Sequence, residues 1–165
     1  MGIHGEHRRL VMRADDSGRW FDDFRVGQRF ETEGYTFTES SIIDFALQYD
    51  PQYFHLDRER AAESIYGGLV ASGFHTLAVV FRLIVQARVF GSGNIGGKGM
   101  DDVRWQRAIR PGDTLRVTCE VLELLPSSHP QRGSMRMSFR ASNQRDETAL
   151  IGVLMPVIQR RPVAE

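Results

Sequence analysis

Asp50 and His55 have the types and the spacing of an acid–base pair. They lie in YDPQYFHLD, residues 49–57, which crowds two aspartates, a histidine, a proline and three aromatics into nine positions. A carboxylate and an imidazole that share a water can orient it and remove its proton, and imidazole suits proton transfer near neutral pH. The two residues are separated by a proline-broken segment, so the chain between them can curve and bring both side chains to one point. The same stretch also fits a turn in which Asp50 caps the backbone and His55 packs its ring among Tyr53 and Phe54. Taken alone, it leaves both readings open.

A second candidate is GGLVASGFH, residues 67–75. If a helix begins near Ser72, Gly73 lies in its first turn, where amide N–H groups lack intrahelical acceptors and the positive end of the dipole sits. With no Cβ in the way, that N–H is open to a ligand and would serve as an oxyanion site for a polarised carbonyl. A glycine needed only for close helix–sheet packing fits equally well. His75, inside the apolar run, reads as a core residue. It shares no metal-ligand spacing with His55, and no other ligand cluster appears. Ser72 and His75 lack the G-x-S-x-G elbow of a serine hydrolase.

Other motifs are weaker. GSGNIGGKG, residues 91–99, lacks the Walker spacing, because Gly99 follows Lys98. Arg104, Arg107 and Arg110 surround Trp105 and read as a solvent-facing set. Cys119 is the lone cysteine and sits in an alternating apolar run, so it reads as a small buried hydrophobe; no disulfide within the chain or CxxC metal site exists.

The elements that must position these residues follow from periodicity. RFETEGYTF alternates from Phe30 as a half-buried strand does. Thr38 is a helix N-cap with Glu39 in the first turn. Ile42, Phe45, Ala46 and Tyr49 recur at helical spacing, and Pro51 stops the helix. An irregular segment then runs toward a short helical piece at RERAAES. From about Ser72 a strongly apolar helix follows, expected to be buried on most sides, and GSGNIGGKG ends it as a flexible loop. Beyond it, MDDVRWQRAI, TLRVTCEVLELL, SMRMSFRASNQ and ALIGVLMPVIQRR read as strands joined mainly by turns, hence antiparallel. TLRVTCEVLELL puts Leu115, Val117, Cys119 and Val121 on one face; SMRMSFRASNQ does the same with Met135, Met137, Phe139 and Ala141. The class is α+β, one antiparallel sheet with a central helix on one face.

Composition narrows the function classes. The 165 residues carry 21 Lys plus Arg against 21 Asp plus Glu, and this balance argues against an electrostatic nucleic-acid binder and permits self-association. The stretch Leu69–Phe90 holds too many polar residues for a membrane span. Residues 1–19 read as a mobile polar arm and 20–165 as a single domain, soluble and cytoplasmic.

YDPQYFHLD followed by AAESIYGGLVASGFHT, together with DDVRWQRAIRPGDTLRVTCEVLE and the lead-in FDDFRVGQRF, resembles the MaoC-like dehydratase family of hotdog-fold proteins, which includes the (R)-specific enoyl-CoA hydratases. The resemblance implies a hotdog fold, a curved antiparallel sheet wrapped around a long central helix. It implies a homodimer, or a dimer of dimers, with an acyl-thioester tunnel at the subunit interface. Asp50 and His55 match the family's catalytic pair, and Gly73 matches the glycine whose N–H binds the thioester carbonyl. Ser72 stands where the family often has His. Gln52, Tyr53 and Phe54 occupy an interval where the best-known hydratases have Asn-Pro, so Tyr53 and Phe54 are candidates for the substrate pocket. Asp57 is expected to hold the loop. The implied reaction is reversible hydration of a trans-2-enoyl-CoA to an (R)-3-hydroxyacyl-CoA, with no cofactor beyond the CoA carried by the substrate, no metal, and neither nucleic acid nor membrane as partner. A hotdog acyl-CoA thioesterase and a non-catalytic acyl-thioester-binding subunit are the alternatives.

Overall fold

The computed structural model describes residues 18–162. After a 3-10 turn at Phe21–Asp23 come strands β1 (Arg29–Glu31) and β2 (Tyr35–Thr36), then helices α1 (Glu39–Tyr49), α2 (Tyr53–Leu56), α3 (Arg58–Ala62) and α4 (Gly73–Gln86). Strands β3 (Asn94–Trp105), β4 (Thr114–Pro126), β5 (Arg132–Ser142) and β6 (Thr148–Gln159) complete the chain. The sheet order is β1-β4-β5-β6-β3, with β2 also on β4, and every pairing is antiparallel.

The alternation in β4 and β5 builds the core. Leu115, Val117, Cys119 and Val121 face inward from β4, and Met135, Met137, Phe139 and Ala141 from β5, all buried. Full burial of a large apolar side chain stabilises by roughly 1.5–3 kcal/mol, so these two stripes hold the sheet to the helix layer. Against them α4 lays Val79, Val80, Leu83 and Ile84.

Local signals set the helix ends. Thr38 Oγ1 accepts from the Ser41 N–H (3.1 Å) while Ser41 Oγ accepts from the Thr38 N–H (3.1 Å), a reciprocal cap on α1. Before Pro51 the chain leaves the helix, with Asp50 at φ −153°. Asp57 Oδ1 accepts from the N–H groups of Glu59 and Arg60 and so starts α3.

Four features depart from the sequence reading. RFETEGYTF is two short strands rather than one. Between them Thr32 meets Val117 through its own N–H and its hydroxyl, both at 3.0 Å, replacing ordinary strand pairing at that point. The irregular segment after Pro51 contains α2. The glycine-rich stretch is not a loop throughout: from Asn94 it is strand β3, paired with β6 across register shifts. Gly96 and Gly99, at φ 141° and 148°, supply the backbone that those shifts need, and Lys98 Nζ donates to Ser134 Oγ (3.1 Å). Finally, α4 is buried along one stripe only, and Phe74, Phe81 and Val85 are exposed. Of the expected N-terminal arm, residues 1–17 lie outside the described residues. Arg19 at its end is buried, and its carbonyl accepts from the N–H groups of Ser92 and Gly93.

Candidate active site

Asp50 and His55 meet. The end of α1 presents Asp50, one turn of helix α2 presents His55, and His55 Nε2 lies 3.3 Å from Asp50 Oδ2. The other ring nitrogen, Nδ1, is 2.6 Å from the Val70 carbonyl oxygen. A carbonyl only accepts, so Nδ1 carries a proton, and the ring is turned so that Nε2 faces the carboxylate. Pro51 makes this possible by ending α1 at Asp50, which frees the next five residues to double back.

Asp50 is held as an anion. Burial opposes its charge, but hydrogen bonds from Ser72 and Gln52 and the attraction of His55 outweigh burial, so its pKa falls below the ordinary value. The Gln52 contact is Nε2 to Oδ1 at 2.8 Å. Ser72 is fully buried, and its Oγ accepts from the Phe74 N–H (3.2 Å) as the cap of α4.

Gly73 is the first residue of that helix. Its N–H has no intrahelical acceptor by geometry, and Ser72 Oγ engages Phe74 instead. The peptide linking Ser72 to Gly73 is polarised from the other end. The Ser72 carbonyl accepts from Thr76 N (3.0 Å) and from Thr76 Oγ1 (3.1 Å), which strengthens the Gly73 N–H as a donor. Close packing also requires a glycine here: a Cβ would stand 2.8 Å from Trp105 Nε1. The packing meaning of Gly73 is therefore met in the structure.

These groups share a cleft of about 520 Å³, with Asp50, His55 and Gly73 facing Trp105, Arg107 and Ile109. Phe54 lines it, while Tyr53 does not; the Arg60 guanidinium lies 4.8 Å over the Tyr53 ring instead. Asp57 caps α3 and holds the loop.

The remaining candidates have structural settings. His75 stacks on Phe45 (4.7 Å, 7°) and meets Phe37 edge-on (5.0 Å), and burial pushes its pKa down to about 4. Arg107 pairs with Glu147 (3.4 Å), Arg104 approaches Asp102 (3.9 Å), and Arg110 donates to the Tyr66 carbonyl. Burial pushes the Cys119 thiol up to about 12, so it stays protonated. Among the described residues no group of three or more His, Cys, Asp or Glu could hold a metal, and no helix is long and apolar enough to cross a membrane.

Sequence reasoning missed four contributors. The Val70 carbonyl has no sequence signal. Gln52 could have been found as an amide two residues after the aspartate. Thr76 falls one turn after the N-cap, and Trp105 is far away in sequence.

A family model described as a MaoC-like domain matches residues 23–141. The chain is 32% identical over 139 residues to YdeM of Bacillus subtilis, covering 84% of this chain and 98% of that protein. The crystal structure of a MaoC-like dehydratase from Rhodospirillum rubrum superposes with a TM-score of 0.83 at 38% identity, covering 88% of this chain and all of that one. The (R)-hydratase PhaJ1 of Pseudomonas aeruginosa, in its unliganded form, gives a TM-score of 0.68 at 28% identity, over 88% of this chain and 92% of that one.

Proposed function

Because the chain belongs to the MaoC-like dehydratase family and has the hotdog fold, we propose that it is a hydratase that adds water reversibly to a trans-2-enoyl-CoA, giving an (R)-3-hydroxyacyl-CoA. The observation that carries this reading is the wiring of His55. With Nδ1 committed to Val70 O, Nε2 faces an ionised Asp50 in a cleft headed by the Gly73 N–H.

The chemistry follows from that arrangement. The Gly73 N–H, at the positive end of α4, holds the thioester oxygen and stabilises it as charge develops there. A water lodged between Asp50 and His55 attacks C3. His55 Nε2 takes one water proton, the hydroxyl stays on C3, and a proton passes from the same pair to C2. Delivery of both groups by one pair on one face makes the addition syn. No step draws on a cofactor; CoA enters only as part of the substrate.

Two surfaces support the rest of the reading. An apolar hollow of about 270 Å³, lined by Phe81 of α4 with Phe90, Met100 and Leu154, suits an acyl tail. Strand β3 is an edge strand with Ile95 and Met100 exposed, and α4 exposes Phe81 and Val85. Such an edge favours pairing with a second copy, hence a homodimer. A cytoplasmic setting is proposed with it, since one buried cysteine suits a reducing compartment.

The test is hydration of crotonyl-CoA, followed as loss of the enoyl thioester absorbance. Asp50→Asn and His55→Ala, shown to be folded by circular dichroism, should each lose on the order of 10²–10⁴ in turnover. Parent-like rates in both variants would defeat the acid–base assignment. Release of free thiol without hydration would favour a thioesterase.

A further inference from the structure

Trp105 is a large aromatic at the mouth of the cleft whose position is built rather than incidental. Its indole N–H donates to the Gly73 carbonyl (2.8 Å), and its ring packs over Gly73 so closely that no side chain fits there. Strand β3 carries a register shift between Asp101 and Arg104, with Asp102 in the left-handed region at φ 53°. An extra residue in a strand re-aims the side chains that follow it, and here it precedes the indole that reaches α4. Phe74 meets the same indole edge-on at 6.2 Å.

Three fixed points would orient an enoyl thioester in this cleft. The carbonyl oxygen sits on the Gly73 N–H, and C2 and C3 face Asp50 and His55. The carbonyl carbon's other substituent, sulfur, therefore points away from the acid–base pair, and Trp105 is the large aromatic that lines the cleft beside Gly73. Exposure runs the same way: His55 is 5% exposed, Trp105 48% and Phe74 65%. In the single chain the cleft opens beside these two aromatics, and a carrier arm leaving by that opening passes them.

We propose that Trp105 is a specificity-determining residue that recognises the thioester's carrier side, packing its indole against the sulfur and the cysteamine end of a pantetheine arm. This inference rests on the enoyl-thioester reading and sharpens it. Pantetheine is common to CoA and to protein carriers, and the contact is to the part they share.

Trp105→Ala should raise KM for crotonyl-CoA about tenfold with kcat within about threefold, because the contact is made equally in ground and transition states. Trp105→Phe, which keeps a ring but not the N–H, should stay within about threefold of the parent KM. Crotonyl-N-acetylcysteamine, which keeps only the sulfur end of the arm, should show the same factor for Trp105→Ala. An unchanged KM in Trp105→Ala, or a fall in kcat at constant KM, would overturn the proposal, the latter because the indole would then act through Gly73. An effect confined to CoA would also overturn it, because the contact would then be to the nucleotide. A binding readout separates this from the proposed reaction. In Trp20→Phe protein, Trp105 is the single indole, and the unreactive butyryl-CoA should shift its emission. A shift without crotonyl-CoA hydration would sink the hydratase and leave the arm contact standing; hydration with no shift would do the reverse.

Discussion

His55 and His75 are almost equally buried, 5% and 6% exposed, and they have opposite characters. His55 has both ring nitrogens engaged, one by a main-chain carbonyl and one by a carboxylate. His75 is sandwiched by phenylalanines, and its Nδ1 is buried with no hydrogen-bond partner. Burial alone therefore does not set the chemistry of a histidine. The partner that fixes the tautomer does, because it decides which nitrogen can move a proton and where it points.

Replacing each histidine by phenylalanine gives the largest contrast. His55→Phe keeps a ring of similar size but removes the base, and should lose on the order of 10²–10⁴ in turnover with crotonyl-CoA. His75→Phe extends an existing aromatic cluster and should keep parent kinetics. If the two variants lost activity equally, the difference in wiring would have no catalytic meaning.

The sequence predicted this contrast in outline. The helix cap at Thr38, the stop at Pro51 and the stripes of β4 and β5 were legible because each rests on local chemistry or on a strict period. The five-residue offset between Asp50 and His55 was legible as a possibility, and the Gly73 head of α4 as its complement. What brings the two side chains together was not local. The Val70 carbonyl is a main-chain atom fifteen residues on from His55. Trp105 arrives from another strand because of a bulge. The strand in GSGNIGGKG was hidden for a related reason: glycines suggest loops, but here they accommodate register shifts on an edge that only the partner strand β6 reveals. The expectation that α4 is covered on most sides failed because periodicity reports apolar faces without saying which chain covers them.

A smaller effect tests the other half of the comparison through stability. Burial holds the folded pKa of His75 at about 4, below that of an unfolded histidine, near 6.5. The unfolded state therefore binds the extra proton first. Stability from a neutral His75 is complete above the unfolded pKa and is lost as pH falls toward about 4. Between pH 7.5 and pH 5 this loss should reach roughly 2 kcal/mol, and His75→Phe should abolish it. Urea unfolding at both pH values measures the difference between parent and variant. Equal pH dependence in the two would mean that His75 is not held neutral.

The smallest effect belongs to Gln52, which supports the wired histidine's partner. Its amide donates to Asp50 Oδ1 and favours the ionised carboxylate. Removing it as Gln52→Leu raises the Asp50 pKa, since one donor to the charged form is gone. The ionised carboxylate that the proposed reaction uses is then reached only at higher pH. The acid limb of kcat/KM should move to higher pH, while the alkaline rate stays near that of the parent. His75→Phe should leave that limb in place although it changes acid stability, and Gln52→Leu should move it with little effect on stability. A limb that moves with His75 and not with Gln52 would reverse the assignment of the two histidines, because it would tie activity to the ring packed on Phe45 rather than to the one held by Val70 and Asp50.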